Sequence, residues 1–156
     1  MATFNSDLVT KQAAALLKSS DGVRDGDDFA GNVKMATAHV TLTGSTAAAD
    51  IINIIPAELV PVGAVVVPQL CTVTCGDPGT TLTLDIGDAL DTDRYADGIA
   101  LSSGGCINFC TATKPAAVAT PYRIPEQAAI YATVASADTI TNGTVLTFVI
   151  AYRSKS

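Results

Sequence analysis

The sequence has no tryptophan, a single histidine (His39), only two glutamates (Glu58 and Glu126) and two methionines. Each scarcity excludes something. A Ser–His–Asp or Cys–His site would need His39 as its general base. No elbow-type glycine pattern surrounds any serine, and His39 falls among threonines in a strand pattern, where it reads as an ordinary sheet residue. The two glutamates stand in proline-containing segments, and nothing singles out a carboxylate pair for acid–base work. No glycine-rich stretch ends in Lys-Ser or Lys-Thr, so the phosphate cradle of the P-loop kind is missing. Aromatic residues make up 5% of the chain. Sugar-binding faces depend on aromatic platforms, which disfavours a carbohydrate-binding or glycan-hydrolysing module. No catalytic residue, cofactor or metal site is expected.

Charge is also scarce. Charged residues are 15% of the chain, against about 25% in ordinary soluble domains, which suggests a surface partly covered by other subunits. The nine bases are scattered, the fifteen acids give a formal charge of −6, and the pI is near 4.4. A phosphate backbone is bound by clustered Lys and Arg, so nucleic acid is not an expected partner. Long apolar runs are lacking too. The longest, Leu59 to Leu70, is interrupted by Pro61, Gly63 and Pro68 and falls short of the roughly 20 residues of a spanning helix; no membrane association is expected. The opening residues Met1 to Asp7 lack the basic, apolar, small-residue order of a secretion signal, so synthesis and folding in a cytoplasm are expected.

What is present is apolar, β-branched and periodic. Of 156 residues 48% are hydrophobic and the mean hydropathy is +0.36, enough for one domain with a sizeable core and too apolar for disorder. Residues 1–34 hold nine of the 24 charged residues and one helical pattern, Asp7 to Lys18, with Leu8, Val9, Ala13, Leu16 and Leu17 near a 3.6-residue period. This segment reads either as a helix folded on the side of the domain or as an arm docking on a neighbour. From Met35 the period becomes two. Ala36, Ala38, Val40 and Leu42 face one way, with His39 and the threonines opposite. Similar alternation marks Thr81 to Ile86 and Ala129 to Val134, while Thr144 to Tyr152 is apolar on both faces, as a central strand would be. Asp50 to Ile55, Ala64 to Cys75 and Cys106 to Thr111 are further strand candidates. Asn142-Gly143 reads as a tight hairpin turn. Seven or eight short strands with such turns predict an all-β, antiparallel β-sandwich or jelly roll over residues 35–156, preceded by a short N-terminal helix or arm over 1–34.

Two features carry specific expectations. Cys71, Cys75, Cys106 and Cys110 form two pairs of equal spacing. If their strands are antiparallel neighbours, Cys71 can face Cys110 and Cys75 can face Cys106. A zinc site of all four and four unrelated buried thiols are the alternatives. The acidic stretch Asp85 to Asp97 could offer calcium ligands, but its spacing does not fit an EF-hand and Arg94 would intrude. It reads instead as a strand ending in tight turns, with Asp88, Asp93, Arg94 and Tyr95 as its structural residues.

The succession Asp50-Ile-Ile-Asn-Ile-Ile-Pro56, Gly63-Ala-Val-Val-Val67, Leu84-Asp-Ile-Gly-Asp88 and Asp93-Arg-Tyr-Ala-Asp-Gly98 resembles a group of small structural proteins of tailed bacteriophages. The closing strand Val145 to Tyr152 with its short basic, polar tail is similar as well. The likeness spans roughly residues 35–153. It implies a capsid decoration, or cement, protein: a virion component assembled in the host cytoplasm, forming dimers or trimers on the outer surface of the head and bridging copies of the major capsid protein. In that setting Phe4, Leu8, Leu16 and Leu17 are the expected anchors of the arm at the interface. The cysteines are not part of this resemblance. A tail or head-fibre component is the alternative structural reading.

Overall fold

The computed structural model describes residues 33–111, 122–137 and 139–154. Among the described residues, nine strands build two antiparallel sheets: β1 (Val33–Thr41), β2 (Ile51–Ile55), β3 (Val65–Val66), β4 (Thr72–Cys75), β5 (Leu82–Asp88), β6 (Asp91–Leu101), β7 (Gly105–Asn108), β8 (Ile130–Ala137) and β9 (Val145–Arg153). Sheet A has the order β1-β9-β4-β7, with β3 also on β9; sheet B has the order β2-β8-β5-β6. With the two-residue β3 set aside, the pairings nest. The first strand pairs with the last, β2 with β8, β4 with β7 and β5 with β6. A long antiparallel ribbon rolled up in this way is a jelly roll, the all-β class expected from the sequence.

Alternation decides what the sheets enclose. Leu82, Leu84 and Ile86 of β5, Ile130, Ala132 and Val134 of β8, and Leu146, Phe148 and Ile150 of β9 are buried between the sheets, with Ala36, Ala38 and Val40 of β1 packed at their margin. Facing layers of β-branched and aromatic side chains make the core of a sandwich. Strand β9 is central, as its two apolar faces predict: β1 pairs along its whole length on one side, β3 and β4 on the other.

Three expectations are corrected. The candidate strand Ala64 to Cys75 is divided into β3 and β4 by a 3-10 turn at Pro68–Leu70, because Pro68 has no N–H to give the ladder. Likewise, Cys106 to Thr111 leaves strand geometry at Phe109, where a 3-10 turn begins. Asn142-Gly143 does make a turn, with Gly143 at φ 88 and the Thr144 N–H donating to the Thr141 carbonyl at 3.1 Å. It is not a hairpin, since β8 and β9 lie in different sheets. The dipeptide fixes only the local reversal, while the pairing of β9 with β1 on one side and β3 and β4 on the other sets that strand in the middle of the other sheet.

Where β3 gives way to β4, the Val67 N–H still reaches the Ala151 carbonyl at 2.9 Å, but the Ala151 N–H would be left open. The Cys71 thiol fills the gap: the Ala151 N–H donates to Sγ at 3.2 Å, and Sγ–H points to the carbonyls of Val67 at 3.2 Å and Ala151 at 3.6 Å. Burial pushes this thiol up from 9.0 to about 12. It is a structural hydrogen-bonding group rather than a nucleophile. Cys71→Ala strands a buried amide and is expected to cost about 1–3 kcal/mol in urea unfolding. Because the unfolded thiol ionises first, the contribution of Cys71 is complete below pH 9 and declines as the pH climbs towards 12. The Cys71→Ala variant should therefore show a flatter stability profile across that window.

Candidate interaction site

The acidic stretch folds as a hairpin, with Ala89 and Leu90 at the tip and Asp88 opposite Asp91. Its second strand, β6, is the 11-residue Asp91–Leu101. The Asp88 side chain is buried and accepts three hydrogen bonds: the Leu90 N–H to Oδ1 at 3.0 Å, and the Arg94 Nε–H at 3.0 Å and Tyr95 hydroxyl at 2.9 Å to Oδ2. The Asp88 carbonyl takes the Tyr131 hydroxyl at 2.9 Å. Arg94 lies over the Tyr122 ring, 3.7 Å from its centroid, a cation–π contact that shields the ion pair from water. Burial, and then the Asp88 charge, push the Tyr95 hydroxyl far above its usual range, so it remains a donor. Gly87 is required here because a Cβ would run into the backbone of Asp91 and Thr92.

Of the four residues read as a structural turn, Asp88, Arg94 and Tyr95 converge. Asp93 does not join them: it is exposed and bonds with Asp91, raising the Asp91 carboxyl above the ordinary carboxylate value. Tyr122 and Tyr131 belong to the cluster but lie far along the chain, where no local pattern marks them.

The network holds Leu90 at one end of the sandwich, 64% exposed. Tyr131 pairs with both Gly87 and Asn53, and Ile130 pairs with Ile55, so β2 ends beside this hairpin. The connection from Ile55 to Val65 therefore crosses the same end, carrying exposed Leu59 and Val62. Val65 and Val33 both pair with Arg153, which brings the start of β1 there too. The end thus displays Val33, Leu59, Val62 and Leu90, accompanied by exposed Lys34, Glu58 and Arg123. Large apolar groups and charged ones of both signs share this end of the domain. Phe4, Leu8, Leu16 and Leu17 lie outside the described residues; the segment that holds them enters the domain at Val33.

A second surface is the outer face of sheet A. The register sets Thr37, Val149, Thr72 and Asn108 in one row and His39, Thr147, Thr74 and Cys106 in the next, with Thr41 beside Val145. His39 and Thr147 share a hydrogen bond of 3.0 Å from Nδ1 to Oγ1. The strands of sheet A contain no acid, whereas those of sheet B contain Asp85, Asp88, Asp91, Asp93 and Asp97. Among the described strands, the acids therefore all lie in one sheet, while Lys34 and Arg153 stand on strands of the other.

The cysteine strands β4 and β7 are antiparallel neighbours, as their matched spacing suggests. Their register is one residue away from the expected one: Thr74 faces Cys106, and Cys75 faces Gly105. A one-residue slip exchanges the faces of a strand, so Cys75 points into the core while Cys106 is exposed on the outer face. The expected pairing of Cys75 with Cys106 is thereby corrected. In the same register the Cys71 carbonyl meets the Phe109 N–H at 3.1 Å, and Cys110 sits in the 3-10 turn beyond. Cys110 still lies near enough to Cys71 to bear on its ionisation, but all four thiols are free. Among the described residues no group of three or more His, Cys, Asp or Glu converges. A cleft of about 310 Å³ opens between β1 and β2, and the Asp50 carboxylate at its wall is engaged by the Ala47 N–H at 2.8 Å.

The ion pair makes a direct prediction. Asp88→Ala removes the acceptor of the Tyr95 hydroxyl and of Arg94 Nε, leaving the shielded guanidinium only the 3.8 Å contact of Nη1 with Asp91, and should cost about 3–5 kcal/mol. Tyr95→Phe should cost about 1–2 kcal/mol. Urea unfolding measures both, and equal small losses would contradict the central role of the carboxylate.

No protein-family model matches the sequence, and no curated protein does. Solved structures do show likeness. A chain of the Cyanophage Pam1 capsid asymmetric unit matches with a TM-score of 0.55 at 22% identity, over 85% of this chain and 92% of that one. A chain of the capsid of Ralstonia phage GP4 matches with a TM-score of 0.58 at 23% identity, over 83% and 88%. The likeness is one of fold, and it extends over most of each chain.

Proposed function

We propose that this protein is a structural component of a phage virion that decorates and stabilises the outer surface of the capsid, bridging neighbouring copies of the major capsid protein. The observation that carries the reading is the fold likeness to chains of two phage capsids over most of both lengths. The surfaces of the domain support it. A cement protein needs complementary surfaces rather than an active site, and many copies on a lattice make modest single contacts sufficient. In this reading the end bearing Val33, Leu59, Val62 and Leu90 faces the shell. Residues 1–34 are the arm that enlarges the contact, anchored by Phe4, Leu8, Leu16 and Leu17, and residues 35–156 are the β module. The acids of sheet B suit a position outside the head, away from packaged nucleic acid. The copies associate as dimers or trimers.

Particles lacking this protein, mixed with the purified chain, should carry it through a density gradient and show added knobs across the head by electron microscopy. Absence of bound protein, or labelling confined to the tail, would count against decoration. Deleting residues 1–20 should abolish particle binding while leaving a cooperative melt and a β-type circular dichroism spectrum; retained binding would remove the arm from the mechanism.

A further inference from the structure

We propose that the outer face of sheet A is the contact surface for a second copy of this chain. The charge distribution selects both the face and the occupant. Another copy carries the same formal charge of −6, and like charges brought face to face oppose association. Among the described residues, sheet B carries Asp85, Asp91, Asp93 and Asp97 besides the buried, ion-paired Asp88, and no acid stands on a strand of sheet A. A cationic partner would be drawn to sheet B, whereas a molecule as acidic as this one can approach closely over sheet A.

The side chains favour the same conclusion. A sheet face meant for water is normally studded with Lys and Glu, but the two middle rows here are built around Thr37, Thr72, Thr74, Thr147 and Val149. β-Branched residues are already stiff at χ1, so docking costs them little entropy. Their hydroxyls can form neutral hydrogen bonds without a charge being stripped of water. These two rows, which hold no acid, Lys or Arg, also meet their own image without needing a matched pattern of opposite charges, which suits a two-fold contact. Size then sets the strength. Four strands about 4.8 Å apart and about three rows of outward side chains span roughly 300–400 Å², less than the ~800 Å² per partner of a standard interface. The association is therefore weak in dilute solution and sustained where copies are crowded together.

This inference gives a surface to the self-association in the functional reading. Its test uses the full chain without particles, so failure here leaves shell binding untouched, and failure to bind shells leaves this result standing. Sedimentation velocity over a dilution series should show a monomer–dimer equilibrium. Cys106, exposed on the face opposite Thr74, should be alkylated more slowly at high protein concentration when modified sites are located by mass spectrometry. Thr74→Glu, and separately Thr37→Glu, should move the dimerisation midpoint at least tenfold upward with an unchanged circular dichroism spectrum. Ser136→Glu, exposed on β8 of the other sheet, should leave it in place. A chain that stays monomeric up to about 1 mM, or a dimer whose midpoint neither Glu substitution on sheet A moves, overturns the proposal.

Discussion

The whole domain depends on keeping β9 hydrogen-bonded on both sides. This strand is buried, and buried N–H and C=O groups left without partners are costly. One flank is satisfied along its full length by β1. The other is shared by β3 and β4, which cannot be continuous because Pro68 lies between them. At that break the Val67 N–H donates to the Ala151 carbonyl and the Cys71 thiol accepts from the Ala151 N–H. With both flanks complete, Leu146, Phe148 and Ile150 form the floor on which sheet B packs. The placement of sheet B then determines where the Asp88 hairpin, and the surface it displays, can stand.

How much of this was legible in the sequence varies with the range of the interaction. Strands β1, β5 and β8 announce themselves through alternation, and β9 through its two apolar faces. Strand β6 does not, because Tyr95 and Ala96 are buried in succession and its pairing with β5 shifts register. The Asp88–Arg94–Tyr95 group lies within one short stretch and could be read as a unit, whereas Tyr122 and Tyr131 reach it only through the topology. Equal cysteine spacing established that two strands could align, but not which residues would face. The register that folding selects turns Cys106 outwards. Asn142-Gly143 misled for a related reason: a turn dipeptide carries no information about which strand will be the neighbour.

Charge organisation was hidden in the same way. A low charged fraction is visible in composition, but the segregation of strand acids into sheet B emerges only when strands are assigned to sheets. Segregation leaves the two broad faces chemically different at no cost to the core, since the alternation that fills the interior leaves the outward positions free. The apolar end is a third, independent surface, fixed by a buried ion pair instead of by sheet pairing.

Nested pairing also has a consequence for how the chain is made. On the ribosome β1 and β2 emerge early, yet their partners β9 and β8 are the last described strands to appear. Both sheets therefore stay open until β8 and β9 have been made, and contacts so distant in sequence form slowly. A chain stalled before β9 is not a smaller domain. It is a set of unpaired apolar edges, suited to capture by chaperones or proteases rather than to assembly. Because the central strand of sheet A follows all the other described strands in the chain, the broad faces of the domain exist only once β9 has been added.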